Sequence, residues 1–436
     1  MKKKILTTLL PLILVITTML IAVLITSQRD VTLEVGIFAG SNWDVAREDS
    51  YRNIDDAIKE FQKIHPNVKV HYYSGIRLDE YSSYLSDKAL KGDLPDVFFI
   101  LNEDFNKYAE LGLLLDLEKL IEKDSTISKE DYFESAYSSG TYLNKQYALP
   151  YEVNPNLMAI NRTLLENNNI EVPSSSWTWD EFLEVCKTIT KDVNSDNKID
   201  TFGVSDLSWL DVTYTNGVTL FNDIGTTSNF SDQRVIEAVQ FMQKINSIND
   251  NQQLTQLDFD KGKVAFMPIS FAEYRTYTAY PYKINKYLDY QWDFTTMPSG
   301  PQGDNISEMQ SLLMAINVNS KHKALAFDLL KTFTHNYKIQ EQIYKFSQGA
   351  SPLKKVAKSD NIAKILLEKM DESDMKYNNS LLYTIMDKSI SPQKFKEYSE
   401  AMALAQQEIN SIINNEMDTS VALKKLQRII QSKLDN

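Results

Sequence analysis

Hydrophobic and polar positions along this chain follow three rhythms. Between Ile5 and Thr26 there is no charge: 22 uncharged residues follow Lys2, Lys3 and Lys4. As a helix at ~1.5 Å per residue, that run spans ~33 Å, about one hydrocarbon core. Beyond it, Thr32 to Phe38 alternate as a strand, and Ile54, Ala57, Ile58, Phe61 and Ile64 recur at helical spacing. His65-Pro66-Asn67 breaks that helix, and Val68, Val70 and Tyr72 alternate again. A helix is expected near Leu78–Leu90, and Gly92-Asp93-Leu94-Pro95-Asp96 launches an apolar strand, Val97 to Leu101. Strand, helix, strand, helix, strand predicts a parallel sheet covered by helices.

Further on, a short aromatic strand closes on Ala148-Leu149-Pro150, and an exposed-looking Tyr151-Glu152 follows. A small apolar strand, Leu157 to Ile160, leads into a second α/β unit that includes Trp209 to Gly217 and the strand-like Lys263 to Met267. Met297-Pro298 to Asp304 and Gln348 to Pro352 are rich in turn formers and read as crossings between the two units. The last ~85 residues are expected to be mostly helical, with Leu423, Leu426, Ile429 and Ile430 on one face.

Composition narrows the class. A chain of 436 residues, 43% of them hydrophobic, can bury core for two or three domains. The net charge of −13 repels phosphate backbones, so a nucleic-acid partner is disfavoured. The single cysteine, Cys186, permits no disulfide within the chain and no Cys-based metal site; it reads as a small buried hydrophobe. The basic N-terminal flank places that end in the cytoplasm and the remainder outside. The apolar run is longer than a usual signal-peptide core, and no small-x-small cleavage site precedes Gln28. An uncleaved anchor is therefore favoured over a cleaved secretory signal; either exports the main body. No Gly-x-Ser-x-Gly elbow, phosphate-cradling glycine loop or HExxH is present, so an enzyme is not expected.

The segment KQYALPYEVNPNLMAINRTLLENNNIEVPSSSWTWDEFLEVCKTITKDVNSDNKIDTFG, from Lys145 to Gly203, carries the most information. With FQKIHPNVKV, LPDVFFILNEDF and AELGLLLDLEKLI before it, and LLMAINVNSKHKALAFDLLKTFT after it, the chain resembles extracellular solute-binding proteins of the carbohydrate class. That resemblance covers nearly all of residues 32–436 and implies an α/β, two-lobed periplasmic-binding-protein-like fold of type II. Each lobe would be a mixed sheet flanked by helices, joined by multiple hinge crossings. Residues 31–150 with 302–351 would form one lobe, and 151–301 with 352–436 the other, after an anchor or signal at 1–30. The implied function is capture of a mono- or oligosaccharide by lobe closure and delivery to the membrane permease subunits of an ABC importer, the protein being a monomer. Most members carry a lipidated cysteine after the signal; none stands here. A tethered ligand sensor or adaptor, or a binder of another small polar solute, is the alternative.

A sugar site needs flat aromatic platforms and fixed carboxylates and amides. Trp43 and Asp44 follow the first strand at the edge where open parallel sheets bind ligands, unless Trp43 merely fills a turn. Glu103 and Asp104 follow the strand ending at Leu101, where a family loop contributes an acidic contact; helix capping by Asp104 or Asn102 is the alternative. Tyr151 and Glu152 stand where family members place ligand contacts. Trp209, Asn216 and Gly217 fall in a second-lobe region that contributes stacking and amides, the alternative being core packing. Tyr274 and Arg275 follow the Lys263–Met267 strand. Arg275 facing the cleft would admit acidic sugars; a surface ion pair with Glu273 is the other reading. Trp177 and Trp179 read as docking the next helix. Asp192, Asn194, Asp196 and Asp200 occupy positions 1, 3, 5 and 9 of an EF-hand-like loop, with Lys198 at position 7. Asn197 replaces the turn glycine and Gly203 the bidentate Glu, so structural Ca²⁺ competes with a turn satisfied by its own backbone. No cofactor is required.

Overall fold

The computed structural model describes residues 31–43, 45, 51–222, 224–278, 289–367, 379–393, 395–415 and 417–435. The apolar run Ile5–Thr26 lies outside the described residues. Among those described, no helix is long and apolar enough to cross a membrane.

Among the described residues ten strands form: β1 (Val31–Gly36), β2 (Val68–Tyr72), β3 (Val97–Ile100), β4 (Thr141–Tyr142), β5 (Lys145–Gln146), β6 (Ala148–Asn161), β7 (Phe202–Val204), β8 (Val264–Ser270), β9 (Trp292–Thr295) and β10 (Met309–Ile316). As expected, β1 pairs in parallel with β2 and β3, with helices Arg52–Ile64 and Leu78–Leu90 in the connections. The order is β2-β1-β3-β10-β6-β8-β7, with β9 also on β6.

The two strands expected around Tyr151 and at Leu157–Ile160 are one strand of 14 residues. Its first half pairs with β10 through Pro155, and its second half pairs with β8 and β9 from Asn156 onward. One backbone thus runs from the first lobe's sheet into the second's. The register with β10 shifts between Leu312 and Leu313: Leu313 opposes Pro150 and Leu312 opposes Glu152. Tyr151 is the extra residue of that bulge, a position that tolerates the missing amide of a neighbouring proline and re-aims the side chains beyond it.

Three apolar cores follow. The largest packs β1, β3, the first half of β6 and β10 against Arg52–Ile64 and Lys323–Thr334, with Leu33, Phe98, Ile100 and Leu313 fully buried. A second surrounds Trp177, Phe182, Cys186 and Phe266, where burial pushes the Cys186 thiol up. There SWTWDE does dock a helix: Thr178 and Glu181 form a reciprocal N-terminal cap, and Trp177 Nε1 donates to the Thr296 carbonyl at 2.9 Å. The third joins Trp209, Phe221 and Phe230 to the C-terminal helices Tyr398–Asn414 and Thr419–Leu434 through Ile409, Leu423, Leu426 and Ile430. Ile429, expected on that face, is exposed.

The packing of residues 352–367 and 379–387 differs from the expected division. Leu353, Val356, Ile362, Leu382 and Ile385 bury with Ile339, Ile343 and Tyr344 in the first core. The chain meets the second lobe at Gln393, whose Nε2 donates to the Phe221 carbonyl at 2.6 Å, and at Phe395 and Tyr398. The reason is contiguity: helices Lys354–Ala357 and Asp360–Leu367 pack on the neighbouring helix Tyr337–Phe346, and Asn379–Asp387 packs on those two helices and on β6 before the chain leaves.

Candidate functional site

At the crossing of the lobes, Glu152 is 1% exposed, not exposed as the sequence suggested. Its Oε1 accepts from Trp43 Nε1 at 2.8 Å, from the Gly349 amide at 2.7 Å and from the Ser347 hydroxyl. Val153 and Ala350 exchange backbone hydrogen bonds alongside. Trp43, 6% exposed, is thus a buried partner of Glu152 in this structure, not an open platform. Tyr151 is buried against Phe99, and its hydroxyl accepts from Asn53 Nδ2 at 2.7 Å. Asp44 lies outside the described residues.

Arg275 is 2% exposed and donates to the carbonyls of Tyr344 and Ser347, at 2.6 Å each, and of Gly349 at 3.1 Å. It faces neither solvent nor Glu273, whose carboxylate accepts from the Ser270 amide. The guanidinium gathers the carbonyls that end helix Tyr337–Phe346, where a fork of donors suits converging acceptors. Tyr274 is buried against Trp292 and Phe294. Asn216 is fully buried, donating to the Arg234 carbonyl and to Glu237 and accepting from the Gln302 amide. Gly217 has φ +75°, and a Cβ there would lie 2.9 Å from the Gln302 carbonyl. Both serve the close approach of residues 300–303.

Glu103 is exposed and Asp104 buried, both in helix Asn102–Glu110 just beyond β3. Neither Asn102 nor Asp104 caps that helix. Asn102 Oδ1 and Asp104 Oδ2 are buried with no hydrogen-bond partner among the described residues. In the acidic loop, Asp192 accepts from the amides of Ser195, Asp196 and Asn197, Asp196 from that of Lys198, and Asp200 from those of Val193 and Asn194. Ser195 and Asn197 take positive φ to allow it. Its carboxylates are turned to the loop's own amides, and no group of three metal-ligating side chains gathers among the described residues.

A cavity of about 450 Å³ opens beyond the C-terminal end of β7. The strand's Phe202-Gly203-Val204 is wholly buried, so its continuation emerges as Ser205-Asp206-Leu207 at the sheet edge. Asp206 turns in the left-handed region (φ 52°), and Ser208 then caps helix Trp209–Thr215. Trp209 forms part of the wall, its Nε1 donating to Gln406 Oε1 at 3.0 Å. Asn249 Nδ2 donates to the Val204 carbonyl at 2.9 Å, while Asn249 Oδ1 and Ser205 Oγ have no partner among the described residues. Trp209 is therefore both packed and lining. Of the residues expected from sequence, Trp209 alone lines this cavity.

Beside Ser208 lies a cluster that the sequence analysis missed. Asp211, on the same helix, is hydrogen-bonded by Ser208 and Asn156, yet burial holds its carboxyl above the usual range. Glu308, just before β10, is pushed up to about 7, first by burial and then by the Asp211 charge. Tyr214 donates to Tyr398, and burial raises Tyr398 to about 12. Asn156 is where β6 leaves β10 for β8, and its amide donates to the Glu308 carbonyl at 2.8 Å. Two like-charged carboxyls and two phenols therefore meet where the lobes join. No short motif could reveal this, because its members come from distant segments.

Two lobes joined by repeated crossings, with polar groups gathered beside the junction, define a class of solute-capturing proteins. The chain belongs to the bacterial extracellular solute-binding proteins, whose family profile matches residues 46–336. It is 27% identical over 169 residues to an uncharacterized ABC transporter extracellular-binding protein of Pyrococcus horikoshii, covering 38% of this chain and 36% of that one. The chain's matches span about a third of the length of the curated relatives, 31% and 36%. Its fold is similar to that of the cyclic alpha-maltosyl-1,6-maltose binding protein of Arthrobacter globiformis (TM-score 0.75, 16% identity, 93% and 99% of the two chains). It is also similar to an ABC substrate-binding protein of Listeria monocytogenes in complex with cycloalternan (TM-score 0.66, 20% identity, 93% and 99%).

Proposed function

We propose that this protein captures a carbohydrate outside the cytoplasm by closing its two lobes and passes it unchanged to the membrane subunits of an ABC importer. The observation that carries this reading is the cavity beyond β7, with its tryptophan and a hydroxyl and an amide oxygen unpartnered among the described residues, adjoining the Asp211–Glu308–Tyr214–Tyr398 cluster at the junction. Aromatic faces suit sugar C–H surfaces, and fixed amides and carboxyls suit hydroxyls. The first lobe's contribution is Asn102, Glu103 and Asp104, at the C-terminal edge of β3 where open sheets receive ligands. Trp43 and Glu152 would act as a lock at the hinge, and the Ile5–Thr26 segment as the membrane tether. The names of similar proteins support the ligand class, since they speak of cyclic maltosyl-maltose, cycloalternan and mannotriose. Only differential affinity for the closed state can drive closure. The test is a thermal-shift screen of the full chain against mono- and oligosaccharides, with Asp211→Asn as the control variant. A saturable shift that Asp211→Asn weakens supports the reading; shifts with peptides alone would replace it.

A further inference from the structure

We propose that the cavity beyond β7 selects an uncharged, hydroxyl-bearing sugar against its acidic counterparts, and that Ser205 and Asn249 set this choice. The inference rests on the reading of the cavity as the sugar site and adds the charge class of its occupant.

Three observations converge. First, the lining holds amides, hydroxyls and apolar groups, and among the described residues its only ionisable side chain is the acid Asp206. No lysine or arginine among the described residues lines the space. Arg275, the cation that could have served an acidic sugar from the neighbouring segment, is spent on three backbone carbonyls. A sugar carboxylate entering here would lose water with no countercharge and would meet the carboxyl of Asp206.

Second, the floor contains two polar side chains, each with one oxygen that lacks a partner among the described residues. Ser205 is 2% and Asn249 6% exposed, and both Ser205 Oγ and Asn249 Oδ1 are without a hydrogen bond among the described residues. Asn249 cannot flip to offer its amino group, because Nδ2 is held by the Val204 carbonyl at 2.9 Å. The floor thus presents a fixed acceptor beside a hydroxyl that can donate or accept. A sugar hydroxyl can donate to Asn249 Oδ1; a carboxylate, which only accepts, cannot.

Third, the rim is built from exposed amides such as Gln252, Gln406, Asn410 and Asn414, which bond hydroxyls without demanding charge. At about 450 Å³ the cavity also falls within the ~300–1,000 Å³ typical of small-molecule sites.

The test is isothermal titration of the full chain, held in a non-glycosidic detergent. The ligands are neutral gluco-, manno-, galacto- and xylo-trisaccharides and the matching oligouronates. The tightest neutral ligand is expected to bind at least a hundredfold more strongly than its uronate. Ser205→Ala should weaken that neutral ligand about tenfold while leaving the apo unfolding midpoint unchanged or slightly raised, since it removes a buried hydroxyl that has no internal bond to lose. Asn410→Arg, an exposed change that adds a cation at the rim, should narrow the gap between uronate and neutral sugar. Equal or tighter uronate binding by the unaltered protein, or full neutral affinity in Ser205→Ala, would overturn the inference while leaving sugar capture intact. Failure of every saccharide to bind would instead remove the sugar-binding reading beneath it.

Discussion

Replacing Glu308 by Gln probes the junction most cleanly, because the wild-type carboxyl carries a penalty that Gln does not. Burial and the Asp211 charge raise this group from an ordinary 4.5 to about 7. Below pH 4.5 it is protonated in both folded and unfolded chains and costs nothing. Between 4.5 and about 7 the folded chain retains a proton that the unfolded chain has released, so stability falls as pH rises through this window. Above pH 7 the whole penalty applies. At ~1.4 kcal/mol per pKa unit it is on the order of 3 kcal/mol. Glu308→Gln should therefore stabilise the sugar-free protein by up to about 3 kcal/mol at pH 8.5 and scarcely at all near pH 4.5. Urea unfolding of both proteins at the two pH values measures this directly. An equal effect at both, or destabilisation at pH 8.5, would refute the account of this cluster.

Other side chains give sharper contrasts. Glu152→Ala leaves the Trp43, Ser347 and Gly349 donors without their acceptor and should cost the apo protein about 3 kcal/mol in chemical unfolding. An unchanged midpoint would return Glu152 to the role of an open ligand contact. Arg275→Lys cannot reach three carbonyls with a fork and should lower apo stability by about 2 kcal/mol, with sugar affinity unaffected once the protein is folded. Asp192→Ala should destabilise by about 1–2 kcal/mol equally with and without Ca²⁺, because the carboxylate serves loop amides. A loss seen only with Ca²⁺ would assign those oxygens to the metal. Cys186 should resist a thiol reagent until the protein unfolds, since its thiol is buried and held well above its ordinary range.

How much of this was legible in the sequence depended on the range of the interaction. The β1–β3 strands and their helices were readable because each signal is local; the docking of a helix by Trp177 and Trp179 was readable from the resemblance. The continuity of β6 was not. Pro150 and Pro155 look like strand breakers, and only a bulge at Tyr151 and a change of partner at Asn156 accommodate them. The same bulge hid the burial of Glu152, whose donors arrive from Trp43 and from Ser347–Gly349 at the far end of the chain. Trp209 was recognisable from its place in the second-lobe region of the resembled family, but Ser205 and Asn249 carry no motif. Asp211 and Glu308 carry no sequence signal, because they lie far apart in the chain and only the fold brings them together. Arg275 looked like a specificity residue because sequence cannot show three carbonyls converging on it.

Lobe closure on an unaltered sugar is the central claim. Spin labels at Glu110→Cys in the first lobe and Lys244→Cys in the second, both at exposed positions, report the distance between lobes. The buried Cys186 should stay unlabelled. Pulsed electron–electron distance measurement with the tightest-binding saccharide should show a population shift to shorter separation, with the sugar recovered chemically intact afterwards. An unchanged distance distribution at saturating sugar, or recovery of cleaved sugar, would contradict the account.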